Sequence, residues 1–83
     1  MKEENVKYLK NYEPEMGMAL WGRYVRNIPQ SILKEVARIY KEETGKDIDV
    51  NYSCGNCILN LMTRTAKIYY KANPERIPEG HKL

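Results

Sequence analysis

The sequence predicts an all-α fold, a small single-domain bundle of three to four helices, and three observations carry that prediction. Apolar residues recur at helical spacing over residues 30–45 and again over 53–72. Capping and stop residues bracket both stretches. Only one short segment alternates as a strand would, and a lone strand has nothing to pair with. The 83 residues suffice for one domain with one core, and 42 % hydrophobic with 30 % charged residues is the balance of a chain that folds. The helical domain is placed over residues 1–73, with a C-terminal tail over 74–83.

In chain order, "NYEPEMGMALWGRYVRN" is interrupted by Pro14, Gly17 and Gly22, which separates a short helix near 3–11 from a second over about 14–26. Met18, Leu20, Trp21, Tyr24 and Val25 give the second helix its inner face, with Trp21 expected as the largest core anchor. "IPQSILKEVARIYKEETG" carries the clearest helix signal. It has a proline in the first turn, Ile32, Leu33, Val36, Ile39 and Tyr40 at helical spacing, and Gly45 as a stop. Its outer face holds Lys34, Glu35, Arg38, Lys41 and Glu42, where Glu35 with Arg38 and Arg38 with Glu42 form modest surface pairs.

"KDIDVNYS" alternates Ile48, Val50 and Tyr52 with polar residues and reads as a short extended segment or a loop. Its Asp47, Asp49 and Asn51 lack the glycine and the bidentate glutamate that a calcium loop requires. The last helix is placed over 53–72, capped by Ser53 and ended by Asn73-Pro74. Apolar or small residues at 58, 59, 61, 62, 65, 66, 68 and 69 cover well over half its circumference, which predicts a central helix or one that a second chain also covers. "NPERIPEGHKL" reads as a tail ordered only if something holds it. The expected core is Leu20, Trp21, Val25, Leu33, Val36, Ile39, Ile58, Leu61, Met62 and Tyr69.

"CGNC" holds the only two cysteines, Cys54 and Cys57, at the mouth of the last helix. Three readings compete. As a redox pair, the first thiol would gain from the positive end of the helix, but a thioredoxin-type enzyme needs a sheet behind the motif. As zinc ligands the pair supplies two of four, with His81 as a third if the tail folds back and no evident fourth short of Asp47, Asp49 or a second chain. The preferred reading is packing: two reduced thiols, with Cys54 continuing the stripe of Ile58, Leu61 and Thr65, no cofactor, and a reversible local disulfide open to the pair under oxidation. The single histidine lies in a polar tail and no recognisable motif pairs two acids, so the chain is not expected to be a conventional enzyme.

Residues 1–50 carry nine Lys/Arg and nine Asp/Glu, whereas residues 51–83 carry five and two, so the last third holds the whole net charge of +3. Over 53–72 there is no acid, and Asn60, Arg64, Lys67 and Lys71 fall at i, i+4, i+7 and i+11 as one basic stripe. Such a stripe can follow a phosphate backbone without reading sequence, with Arg76, Lys82 and Tyr70 adding contacts; an ordinary solvated helix face with cations near its C-terminal end explains it equally well. The gap between the last two helices is too long for a helix-turn-helix.

The succession "IYKEETGK", a short polar linker, and "CGNCILNLM" leading into a helix that ends in Tyr is similar to small uncharacterised helical proteins of tailed bacteriophages, over residues 30–70. That resemblance implies a viral accessory or virion-associated protein that binds rather than catalyses. The wide apolar face of the last helix and the seven tyrosines suggest self-association or docking onto a larger assembly as the first function, with nucleic-acid binding as the alternative and a zinc- or thiol-linked module as a further one. "MKEENVKYLK" has no apolar signal region and no apolar run approaches a membrane span, so a cytoplasmic protein without membrane contact is expected.

Overall fold

Four α-helices and no strand make up the computed structural model, which describes residues 1–83: α1 (Glu3–Lys10), α2 (Glu13–Leu20), α3 (Gln30–Thr44) and α4 (Gly55–Ala72), with a 3₁₀ turn over Pro74–Arg76. The fold is the small all-α domain that helical spacing predicts. α3 ends where Gly45 takes a left-handed conformation, φ 72°, and its N–H caps the Lys41 carbonyl at 2.7 Å. Pro29 occupies the N-cap of α3 rather than its first turn. The alternating residues of 46–52 form a loop and no strand, with Ile48, Val50 and Tyr52 turned onto the core.

α4 is the central element. Leu61, Met62, Thr65, Ala66, Tyr69 and Tyr70 are buried along it, and Ile58, Leu59 and Ile68 pack against the same core from its edges. α2 lies along α4, and α3 packs against α4. The Thr63 hydroxyl donates to the Ala19 carbonyl at 3.2 Å, and the fully buried Ala19 and Ala66 present little bulk where these two helices meet. α1 is tied to the C-terminal end of α3 through Asn5, whose buried amide donates to Glu42 Oε1 at 2.7 Å and Glu43 Oε2 at 2.6 Å.

The second helix is shorter than its apolar pattern suggests. It stops at Leu20, where Gly22 follows because a Cβ there would come within 2.8 Å of the Met18 carbonyl oxygen. Arg23 then adopts φ 62°, which costs a non-glycine residue about 1 kcal/mol, and the Tyr24 N–H returns to the Met18 carbonyl at 3.2 Å. Because the chain leaves the helix there, Trp21, Leu20 and Val25 sit at the edge of the core, as does Ile58, and the domain is not built around Trp21. Leu9, Met16, Ala19, Tyr40, Ala66 and Tyr70 fill the interior with the expected Leu33, Val36, Ile39, Leu61, Met62 and Tyr69.

One buried polar atom has no partner, the Thr65 hydroxyl. An unmatched hydroxyl costs about 1–3 kcal/mol, whereas valine keeps the β-branched shape. Thr65→Val should therefore raise the urea midpoint by the equivalent of about 1 kcal/mol; a lowered midpoint would show that the hydroxyl is satisfied in solution.

Candidate basic ridge and cysteine pair

Arg64, Lys67 and Lys71 project from the solvent side of α4, all exposed, and none of them forms an ion pair. The arrangement follows from the apolar majority of α4: one narrow face is left for charge, and no acid shares it. Asn60 continues the row by accepting a 3.2 Å hydrogen bond from Arg64 Nε. Some cations elsewhere are matched, Lys2 with Glu42, Arg38 with Glu35 and Glu42, and Lys41 with Asp47, while unpaired ones such as Lys7, Lys10 and Lys34 lie on helices that also carry acids. Beside the ridge, Leu20, Ile68 and Leu83 line a groove of about 380 Å³ whose rim is Lys67 and Lys71.

Arg76 and Tyr70 stand apart from that ridge. Arg76 leaves the 3₁₀ turn to grip Glu13 through two bonds, Nε to Oε2 at 2.8 Å and Nη2 to Oε1 at 2.7 Å. The Tyr69 hydroxyl donates to the same Oε2 at 2.6 Å. These bonds fasten the tail to the start of α2. Tyr70, expected at the edge of the stripe, is buried instead, with its ring 5.0 Å from those of both Trp21 and Tyr69. Burial pushes its hydroxyl up to about 12.

The rest of the tail is held as well. Trp21 Nε1 donates to the Lys82 carbonyl at 2.9 Å, and His81 lies against the indole with ring centres 4.7 Å apart. Trp21, Tyr24, Tyr70 and His81 thus wall an open groove of about 540 Å³ with Glu13 and Arg76 at its side. The imidazole is occupied with Trp21, and nowhere do three or more His, Cys, Asp or Glu side chains converge as metal ligands would. Within one chain Cys54 and Cys57 gain no third ligand.

Cys54, not Ser53, is the N-cap of α4. Its extended backbone, φ −106° and ψ 114°, lets Sγ fold over the helix mouth and accept the Cys57 N–H at 3.3 Å. Ser53 instead uses its own N–H to bond Asn51 Oδ1 at 2.9 Å. Both cysteines are free thiols and partly exposed. The Cys57 thiol, followed by the backbone N–H groups of Cys57 and Asn56, draws the Cys54 thiol below its ordinary value, and the same contact raises that of Cys57.

Glu13 is the residue that motif reasoning misses, since no spacing rule links position 13 to positions 69 and 76. Its bond to Arg76 is the main reason its carboxyl sits below the ordinary range, reinforced by Tyr69 and opposed by burial. Glu43 is also depressed: burial acts upward, but the Lys2 N–H and the Asn5 amide outweigh it. A carboxyl whose folded value is lowered stabilises the fold above its unfolded value, and that contribution is lost as pH falls through the folded value. Urea stability should therefore drop as pH is lowered from neutral to below about 4, and Glu13→Gln should flatten the profile by about 1 kcal/mol. An identical profile for the variant would show that the Glu13 bonds do not form in solution.

No helix is long and apolar enough to cross a membrane. Comparisons of the chain with protein-family models, with curated proteins and with solved structures give no match.

Proposed function

We propose that this protein acts by binding rather than by catalysis, and that Arg64, Lys67 and Lys71 form its contact surface for the phosphate backbone of a nucleic acid. The observation that carries this reading is the clustering: these three exposed cations, none in an ion pair, follow one face of α4, a helix without a single acid, whereas other unpaired cations such as Lys7, Lys10 and Lys34 lie on helices that also carry acids. Docking through the wide apolar face of α4 has less support, because the chain's own core fills that face and only Met1, Tyr24 and Leu83 remain as exposed large apolar residues. In the setting that the phage resemblance implies, an accessory or virion-associated protein in the host cytoplasm, nucleic acid is the abundant polyanion.

Three phosphate contacts set the expected salt dependence. The logarithm of the association constant should fall against the logarithm of salt with a slope of about −2.7 on duplex DNA and about −2 on single strands, independent of sequence. Anisotropy titrations of labelled oligonucleotides at several salt concentrations measure it. A slope near zero, together with a dimer by light scattering at high micromolar concentration, would favour self-assembly instead.

A further inference from the structure

The end of α4 remote from its basic cations holds the chain's only two sulfur nucleophiles, and the ridge makes no use of them. Cys54 is the N-cap and Cys57 lies in the first turn, and the turn is closed: the Ile58 N–H bonds the Cys54 carbonyl at 3.1 Å while the Cys57 N–H bonds Cys54 Sγ at 3.3 Å. Helical side chains lean toward the N-terminus, so the Cys57 side chain is directed back at Cys54. Helix geometry puts two Cα atoms three residues apart at about 5 Å, inside the window of about 4.4–6.8 Å that a disulfide tolerates. A disulfide can form here with little movement of the backbone.

Access is open as well. Gly55 and Asn56, which separate the two thiols, are exposed, and a Cβ built at Gly55 would meet nothing within 4 Å. A small disulfide can therefore approach Cys54 Sγ from the Gly55 side. The positive end of α4 and the N–H that it aims at Cys54 Sγ favour negative charge on that sulfur.

We infer that Cys54 and Cys57 are a reversible dithiol–disulfide centre, with Cys54 attacking a low-molecular-weight disulfide such as glutathione disulfide and Cys57 resolving the product. The Cys54 thiolate, its proton given to water, attacks one sulfur of the glutathione disulfide; a Cys54–glutathione bond forms and the first glutathione leaves as thiolate. Cys57, deprotonated in turn, attacks Cys54 Sγ, and the second glutathione leaves. Both leaving thiolates take up a proton. Overall the protein dithiol loses two electrons and two protons, and one glutathione disulfide becomes two glutathiones. The reverse sequence reduces the centre. This activity is separate from the basic ridge and does not depend on it.

The test is whole-chain mass spectrometry after equilibration with mixtures of reduced and oxidised glutathione and acid quenching, on the wild type, Cys54→Ser and Cys57→Ser, each first shown to be folded by circular dichroism. The wild type should lose two hydrogens as a monomer and regain them with dithiothreitol. Cys57→Ser should accumulate a glutathione adduct on Cys54, and Cys54→Ser should form its adduct about tenfold more slowly. Equal adduct rates in the two variants, or no loss of two hydrogens at any glutathione ratio, would overturn the inference. A protein that copurifies with zinc and whose thiols react only after chelation would overturn it in favour of a metal site.

Discussion

Tyr69→Ala should remove a large share of the folding free energy. For a domain of this size the total is about 4–12 kcal/mol, and truncating a buried aromatic costs about 3–5 kcal/mol. Tyr69 is fully buried in the last turn of α4, on its interior face and edge-on to Tyr70 at 81°, so its loss opens a cavity where α2, α4 and the tail meet. It also strips Glu13 of the 2.6 Å bond from the hydroxyl, leaving that carboxylate to Arg76 alone. Tyr69→Phe separates the two effects. It keeps the ring and forfeits one bond to a charged acceptor, for which about 1–2 kcal/mol is expected, since Glu13 retains both bonds from Arg76. Urea denaturation followed by circular dichroism measures both variants. A cooperative transition for Tyr69→Ala near the wild-type midpoint would mean that α4 does not occupy the centre of the domain.

Changing Arg64, Lys67 and Lys71 together to Ala should abolish measurable binding to nucleic acid while leaving the fold intact. All three are exposed and carry no ion pair whose loss would weaken the domain. A slope of about −2.7 implies that wild-type affinity for duplex falls roughly 40-fold between about 50 mM and 200 mM salt, and the triple variant should show no such dependence. Lys34→Ala serves as the control, because Lys34 is likewise an exposed cation without an ion pair but belongs to α3 and not to α4. If the control lost as much affinity as the triple variant, binding would be a property of net charge and not of the ridge. Retention of the full salt slope by the triple variant would remove the ridge from the function altogether.

The helices were legible in the sequence because the signals that make them are local. Ile32, Leu33, Val36, Ile39 and Tyr40 repeat with the helix period, Gly45 can take the left-handed stop, and Asn73-Pro74 cannot continue a helix. The basic ridge was legible for the same reason: residues at i, i+4, i+7 and i+11 share a face in any helix, whatever it packs against. The cap of α4 was less so. Ser53 is the better capping residue by type, yet the backbone turns one residue later and Cys54 takes the position.

What periodicity could not supply is which neighbour covers each face. The broad apolar surface of α4 reads equally as a core or as an interface, and only the docking of α2 and α3 makes it a core. Trp21 has the largest side chain available, but Gly22 and the left-handed Arg23 end α2 beside it, so burial falls instead to Met16 and Ala19 one turn earlier. Arg76, with the composition of a phosphate ligand, is claimed by Glu13, 63 residues away, and Tyr69 reaches the same carboxylate across 56 residues. Sequence alone therefore determined that the helices exist, their order and the side of α4 that carries charge, since these depend on residues within a turn or two of one another, while the early end of α2 at Leu20 was not legible. The tertiary structure decided which large side chains are buried, which cations stay unpaired and what holds the tail, because each of those depends on contacts between residues far apart in the chain, which no local pattern encodes.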